Sequence, residues 1–155
     1  MTKDRVEVLT LALSSPLKVG VYKDNKLIKS YTKEEKTSDI LPVVFKEILE
    51  KFDLNAIYMV NGPGSFMAIK VSFVFLKTIA ITKQIPIFGC DGFFFNQNSP
   101  IKAVGNRFFM KKNGTISPEI FDGDKEDIKP FELPSFLDKT IFKKDVEPLY
   151  VLPAV

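Results

Sequence analysis

The sequence predicts an α/β protein whose main sheet mixes antiparallel and parallel pairing. Three stretches carry that expectation. Residues 6–13, 18–22 and 26–31 are apolar or alternating runs, separated by Ser14-Ser15-Pro16 and Lys23-Asp24-Asn25, which is the spacing of an antiparallel meander. Within residues 39–52, Leu41, Val44, Phe45, Ile48, Leu49 and Phe52 recur at the positions that make one buried helical stripe. Residues 56–60 are then followed by Asn61-Gly62-Pro63-Gly64-Ser65-Phe66, a long apolar segment to Gln84, and residues 85–88. Strand, tight glycine turn, helix, strand is the grammar of a parallel βαβ unit, so the expected sheet has five strands.

Each element has a local cause. Residues 32–38 are polar and read as an exposed connection. Asp39 is the expected N-cap of the first helix, which puts Pro42 at N3, where its missing N–H removes no helical bond. In the glycine turn, Gly62 and Gly64 permit backbone angles other residues avoid and Pro63 fixes its own φ, so a helix can start at Ser65 or Phe66. That helix is apolar nearly all round. Lys70, Lys77 and Gln84 make one narrow polar stripe, whereas a helix lying on its own sheet needs an apolar arc of only about 100°. Either other parts of the chain cover the excess, or part of it packs on a partner's helix.

Beyond Phe88 the character changes. Gly89-Cys90-Asp91-Gly92 reads as a turn, residues 93–97 as one helical turn, and 101–104 and 107–111 as strands. Asn113-Gly114 signals a hairpin into a strand over 115–121. The acidic run over 122–127 lacks the glycine and distal glutamate of a calcium loop and reads as solvated. Four prolines (Pro130, Pro134, Pro148 and Pro153) predict an irregular tail docked on the body. At 155 residues the chain is one domain, or two small lobes sharing a core.

Composition narrows the chemistry. The 155 residues are 45% apolar with a net charge of +3, the balance of a folded domain that neither requires nor excludes an acidic partner. Cys90 is the single cysteine and there is no histidine, which excludes an internal disulfide, Ser-His-Asp and Cys-His triads, and histidine-ligated zinc. The apolar runs are too short, or too interrupted by Lys70 and Lys77, to be a signal peptide or a membrane span, so a cytoplasmic protein is expected. The glycine corner could cradle a phosphate at a helix N-terminus, but it matches neither GxxxxGK[ST] nor GxSxG, and a structural turn is favoured. Ser14-Ser15 is read as an ordinary turn, Asp91 as a cap, and Arg107, Lys111 and Lys112 as a solvated basic cluster rather than a phosphate or tRNA contact.

Together these residues resemble the TsaB family, subunits of the bacterial machinery that makes threonylcarbamoyladenosine in tRNA. Gly62-Pro63-Gly64-Ser65-Phe66 matches the family's GPGSF signature in its strand–turn–helix setting. Lys77, Ala80, Ile85-Pro86 and Gly89 keep the order of the following helix and strand. Lys36-Thr37-Ser38-Asp39-Ile40-Leu41-Pro42 is similar to a worn HSExLLP, and Pro148-Leu149-Tyr150-Val151-Leu152-Pro153-Ala154 to the closing PxYLRPA. The family's DTS after the first strand is missing, with Ser14-Ser15-Pro16 in its place.

The resemblance implies an actin-like ATPase (ribonuclease H-like) fold without the metal and nucleotide residues, with a first lobe over residues 1–91 and a reduced second lobe and docked C-terminal tail over 92–155. It also implies a non-catalytic accessory subunit, with no cofactor or metal of its own, in the threonylcarbamoylation of adenosine next to the anticodon. The implied partners are a TsaD-like catalytic subunit, as a heterodimer, and a TsaE-like ATPase. Direct tRNA contact and a homodimer of the isolated chain stay open. The expected interface lies on the two helices, at Leu41, Phe45, Ile69, Phe73, Leu76 and Ala80. Two other readings stand beside it: a stand-alone small-molecule kinase or ATPase of the same superfamily, and a self-associating scaffold module.

Overall fold

Strands β1 (Arg5–Leu11), β2 (Leu17–Lys23) and β3 (Lys26–Lys33) form the meander, in a computed structural model that describes residues 2–103, 105–144 and 146–150. Asp24 and Asn25 both take positive φ (51° and 67°), the two-residue turn whose twist suits a hairpin. Helix α1 (Thr37–Lys51) leads to β4 (Asp53–Val60), and helix α2 (Phe66–Lys83) to β5 (Ile87–Cys90). The five strands make one sheet in the order β3-β2-β1-β4-β5, antiparallel within the meander and parallel from β1 through β4 to β5. The mixed five-stranded sheet expected from the sequence is the one formed.

Alternation along the strands sorts the core into two layers. Val6, Val8, Val19, Val21, Leu54, Ile57 and Met59 face α1 and α2, meeting Leu41, Phe45, Ile48, Leu76 and Ala80. Leu9, Leu11, Tyr22, Ala56, Tyr58 and Val60 face the other way, and there the C-terminal tail covers them through Leu133, Leu137, Ile141 and Phe142. The tail crosses that face from edge to edge. At the β3 side, Leu27 N donates to Ser135 O and Leu137 N to Asn25 O (3.0 and 2.8 Å). At the β5 side, Gly89 and Lys143 exchange both backbone hydrogen bonds (2.8 and 2.9 Å). Between them Tyr22 Oη donates to Pro134 O at 2.7 Å, Lys139 pairs with Glu7 at 2.6 Å, and Phe142 sits edge-on against Tyr58. The irregular docked tail is thus the second covering layer of the sheet.

Several boundaries differ from the sequence reading, β4 starting at Asp53 rather than Ala56 among them, and three bear on particular residues. Helix α1 starts at Thr37 after Lys36, which makes no side-chain cap, so Asp39 lies inside the first turn and Pro42 inside the helix. Asp39 still favours this end, because a carboxylate near a helix N-terminus meets the positive end of the dipole. Pro86 contributes only its carbonyl, accepting from Ile57 N, so β5 begins at Ile87 and takes in Gly89 and Cys90, which had read as a turn. The third concerns β6 (Ile101–Lys102), shorter than the expected strand to Val104, a position outside the described residues. It joins β7 (Arg107–Lys112) and β8 (Thr115–Ile120) in a three-stranded antiparallel sheet with Asn113-Gly114 at its hairpin turn. This small sheet packs Ile101 and Phe109 on Phe93 and Phe131. The part of the closing PxYLRPA resemblance that falls on residues 151–154 also lies outside the described residues.

On the wet side of α1, Lys51 at 2.9 Å and Lys29 at 3.8 Å flank Glu47. The Lys51 hydrogen bond, with the Lys29 charge behind it, lowers the Glu47 carboxyl from 4.5 to about 2. Because the folded value is depressed, this contribution is present above the ordinary carboxylate range and is lost as pH falls towards 2. The carboxyl carbon of Glu47 in an NMR titration should show its midpoint near 2. Glu47→Gln should barely move the melting temperature, since the cluster is exposed and screened.

Candidate functional site

The glycine corner is where five parts of the chain meet. Asn61 N donates to Cys90 O at the end of β5, and Gly62 O accepts from Gly92 N (2.9 and 3.0 Å). Ser65 N donates to Leu13 O just after β1, and its hydroxyl caps α2 by accepting from Ala68 N. The tail closes over the corner: Leu149 N donates to Asn61 O at 2.7 Å, and Asn61 Nδ2 to Glu147 O at 3.1 Å. Both glycines are demanded by these approaches. A Cβ on Gly62, which holds φ +133°, would stand 2.5 Å from Leu149 O, and one on Gly64 would stand 2.9 Å from Leu13 O. Pro63 has no N–H and the N–H of Ser65 is given to Leu13, so two donors a phosphate cradle would want are missing or spent. The corner is a junction, as the favoured structural reading had it.

Behind it opens a cleft of about 720 Å³. One wall is Leu13, Ser14, Ser15, Pro16, Gly64, Ser65 and Phe66; the other is Asn96, Pro100, Ile101, Phe109, Ile128 and Phe131. Among the described residues its ionisable lining residues are Lys18, Lys102 and Lys129, with no carboxylate. Lys18 Nζ donates to Phe131 O, Lys102 Nζ to Gly105 O and Lys129 Nζ to Glu126 O. Ser14-Ser15 thus does more than turn the chain. It forms part of a cavity wall, which its local sequence gave no means to foresee.

Asp91 caps the short 3-10 turn Gly92–Phe95, accepting from Phe93 N, and pairs at 2.8 Å with Lys111, whose ammonium also lies 4.2 Å from the centre of the Phe94 ring. Lys112 pairs with Glu119. The basic cluster near the hairpin is therefore partly neutralised, and the Asp91–Lys111 pair ties β7 to the end of β5. Burial, with the charge of Asp91 next to it, pushes the Cys90 thiol well above its ordinary range, so it stays protonated.

The six residues expected at a partner interface fall mainly beneath the helices. Leu41, Phe45, Ile69, Leu76 and Ala80 are 4% exposed or less, and Phe73 is half-buried against the same core. What α2 offers to solvent is a different line. Met67, Val74 and Ile81 are 69%, 55% and 67% exposed, with Lys70 and Thr78 between them. Three residues seven apart fall on one stripe, because two helical turns take about 7.2 residues. Phe66, at the head of this helix, is met edge-on by Tyr150 of the tail.

The architecture is that of the actin-like, ribonuclease H-like α/β proteins. YeaZ from Pseudomonas aeruginosa superposes with a TM-score of 0.58 at 13% identity, over 77% of this chain and 65% of that one. A second solved structure, described as an uncharacterized protein with similarity to peptidase YeaZ from Pseudomonas aeruginosa, does so with the same TM-score and identity over 77% and 64%. At this identity the likeness shows the fold. In sequence, the chain is 36% identical over 78 residues to the tRNA threonylcarbamoyladenosine biosynthesis protein TsaB of Buchnera aphidicola. That match spans 46% of this chain and 37% of the relative. The chain is TsaB-like in sequence and fold. No protein-family model matches it.

Gly62→Ala should cost about 3 kcal/mol, combining a strained positive φ with a clash on Leu149 O. Gly64→Ala should cost about 2 kcal/mol by crowding Leu13. Chemical denaturation measures both, and neither loss should depend on phosphate. Asp91→Ala, which removes a cap and leaves Lys111 half-buried without its partner, should cost about 2 kcal/mol, and Asp91→Asn less.

Proposed function

We propose that the chain is a non-catalytic accessory subunit, pairing with a TsaD-like catalytic subunit in the threonylcarbamoylation of adenosine next to the tRNA anticodon. The relative's name carries the tRNA modification to this chain, and the exposed stripe of Met67, Val74 and Ile81 carries the pairing. A helix that gives one side to its own sheet and keeps an aligned apolar line in water is built to meet another helix. The interface expectation therefore moves, on the same helices, from Leu41, Phe45, Ile69, Leu76 and Ala80 to the exposed positions, with Val43 of α1 a further one. The setting is cytoplasmic; among the described residues no helix is long and apolar enough to cross a membrane. A TsaE-like ATPase would be a further member of that complex.

A stand-alone kinase or ATPase is the weaker reading, because among the described residues the mainly apolar cleft has lysines and hydroxyls as its polar lining and no carboxylate to carry magnesium. Self-association would use the same stripe and is an outcome of the same experiment.

Val74→Glu with Ile81→Glu places each new carboxylate four residues beyond a lysine (Lys70 and Lys77) on exposed helix surface, so the fold should survive. Co-purification with the catalytic subunit should fall at least tenfold in the folded double variant. Unchanged pairing sinks the proposal. Sedimentation of the chain alone reads out self-association, and calorimetric titration with magnesium and ATP should give no heat of tight binding.

A further inference from the structure

We infer that the cleft beside the glycine corner is a binding site for a small monoanion with a flat apolar body, and not for a nucleotide–magnesium complex. The inference stands independently of any partner subunit.

Size comes first. A cavity of about 720 Å³ lies within the range that encloses a drug-sized ligand, and its walls are chiefly Leu13, Phe66, Phe109, Ile128 and Phe131. Such walls recognise an apolar, planar body by area and ring contact. Charge comes second. Lys18, Lys102 and Lys129 all line the cleft, no Asp or Glu does, and none of the three joins an ion pair among the described residues. Lys18 is the most telling, being half-buried with one proton given to Phe131 O. An ammonium has three donors, so Lys18 keeps two for an incoming anion, in surroundings that screen less than bulk water.

The site thus asks for an anionic group at Lys18 and an apolar body between the aromatic walls. A nucleoside triphosphate asks for the opposite balance: several charges, a metal and a carboxylate to hold it.

The test uses the full chain and two probes: 2-naphthoate and its neutral isostere 2-naphthylmethanol. Titration followed by protein NMR or calorimetry should show 2-naphthoate binding at least tenfold tighter than the alcohol. Shifts should centre on Phe66, Phe109 and Phe131. Lys18→Met, which keeps the stem of the side chain, should erase that tenfold preference while leaving the alcohol's affinity within about twofold. Equal binding of acid and alcohol, a preference that survives Lys18→Met, no binding of 2-naphthoate, or tighter binding of magnesium–ATP than of 2-naphthoate would each overturn the inference.

Discussion

The rest of the structure depends on two places where one stretch of backbone is pressed against another with no side chain between. Gly62 lies under Leu149 O and Gly64 against Leu13 O, at separations no Cβ tolerates. These contacts hold the end of β1, the start of α2 and the closing tail in one junction, with the end of β5 hydrogen-bonded to its other side. A parallel βαβ unit needs a sharp strand-to-helix turn so that the helix lies back on the sheet. Here the turn is sharp because it is bare. The donors that would have made it an anion cradle are given to holding the chain to itself.

The junction also explains how so small a chain covers a sheet on both sides. Helices α1 and α2 occupy one face, and among the described residues no further α-helix covers the other. The tail supplies the missing layer, docking by backbone hydrogen bonds at β3, at β5 and finally at Asn61. Covering by an irregular segment works only if its polar backbone finds partners, because an unpaired buried N–H or C=O costs about as much as a lost hydrogen bond. Tyr22, Lys18 and the strand edges provide several of those partners. Gly20 makes room, since a Cβ there would press on the Tyr22 ring.

Element order and sheet type were legible because they rest on local signals: period-two runs, a 3.6-residue stripe and glycine or asparagine turns. Boundaries failed where a local signal was ambiguous. Asp39 looks the better cap than Lys36, yet the helix starts after Lys36, and Asp39 serves it as a first-turn carboxylate. Gly89-Cys90 looks like a turn, yet the returning tail pairs with Gly89 and keeps it extended. The candidate site was legible only in half. The corner announces itself in five consecutive residues, whereas the cleft is assembled from Ser14, Lys18, Asn96, Lys102 and Lys129, which nothing in the sequence brings together.

The apolar excess of α2 shows why composition cannot assign a helix face. Its residues divide into a line under the helix (Ile69, Leu76 and Ala80), flanks shared with neighbours such as Phe75 against Phe45, and a line in water (Met67, Val74 and Ile81). All three lines are apolar, so periodicity reports no contrast between them, and the residues chosen from sequence as an interface are mostly the ones the sheet takes. Burial separates what periodicity cannot. The line in water is largely uncovered by this chain, and its side chains stay apolar although a charged residue at Val74 or Ile81 would find a lysine one helical turn away. Packing within the chain gives little reason for that choice, and this line is the surface that the proposed pairing would use.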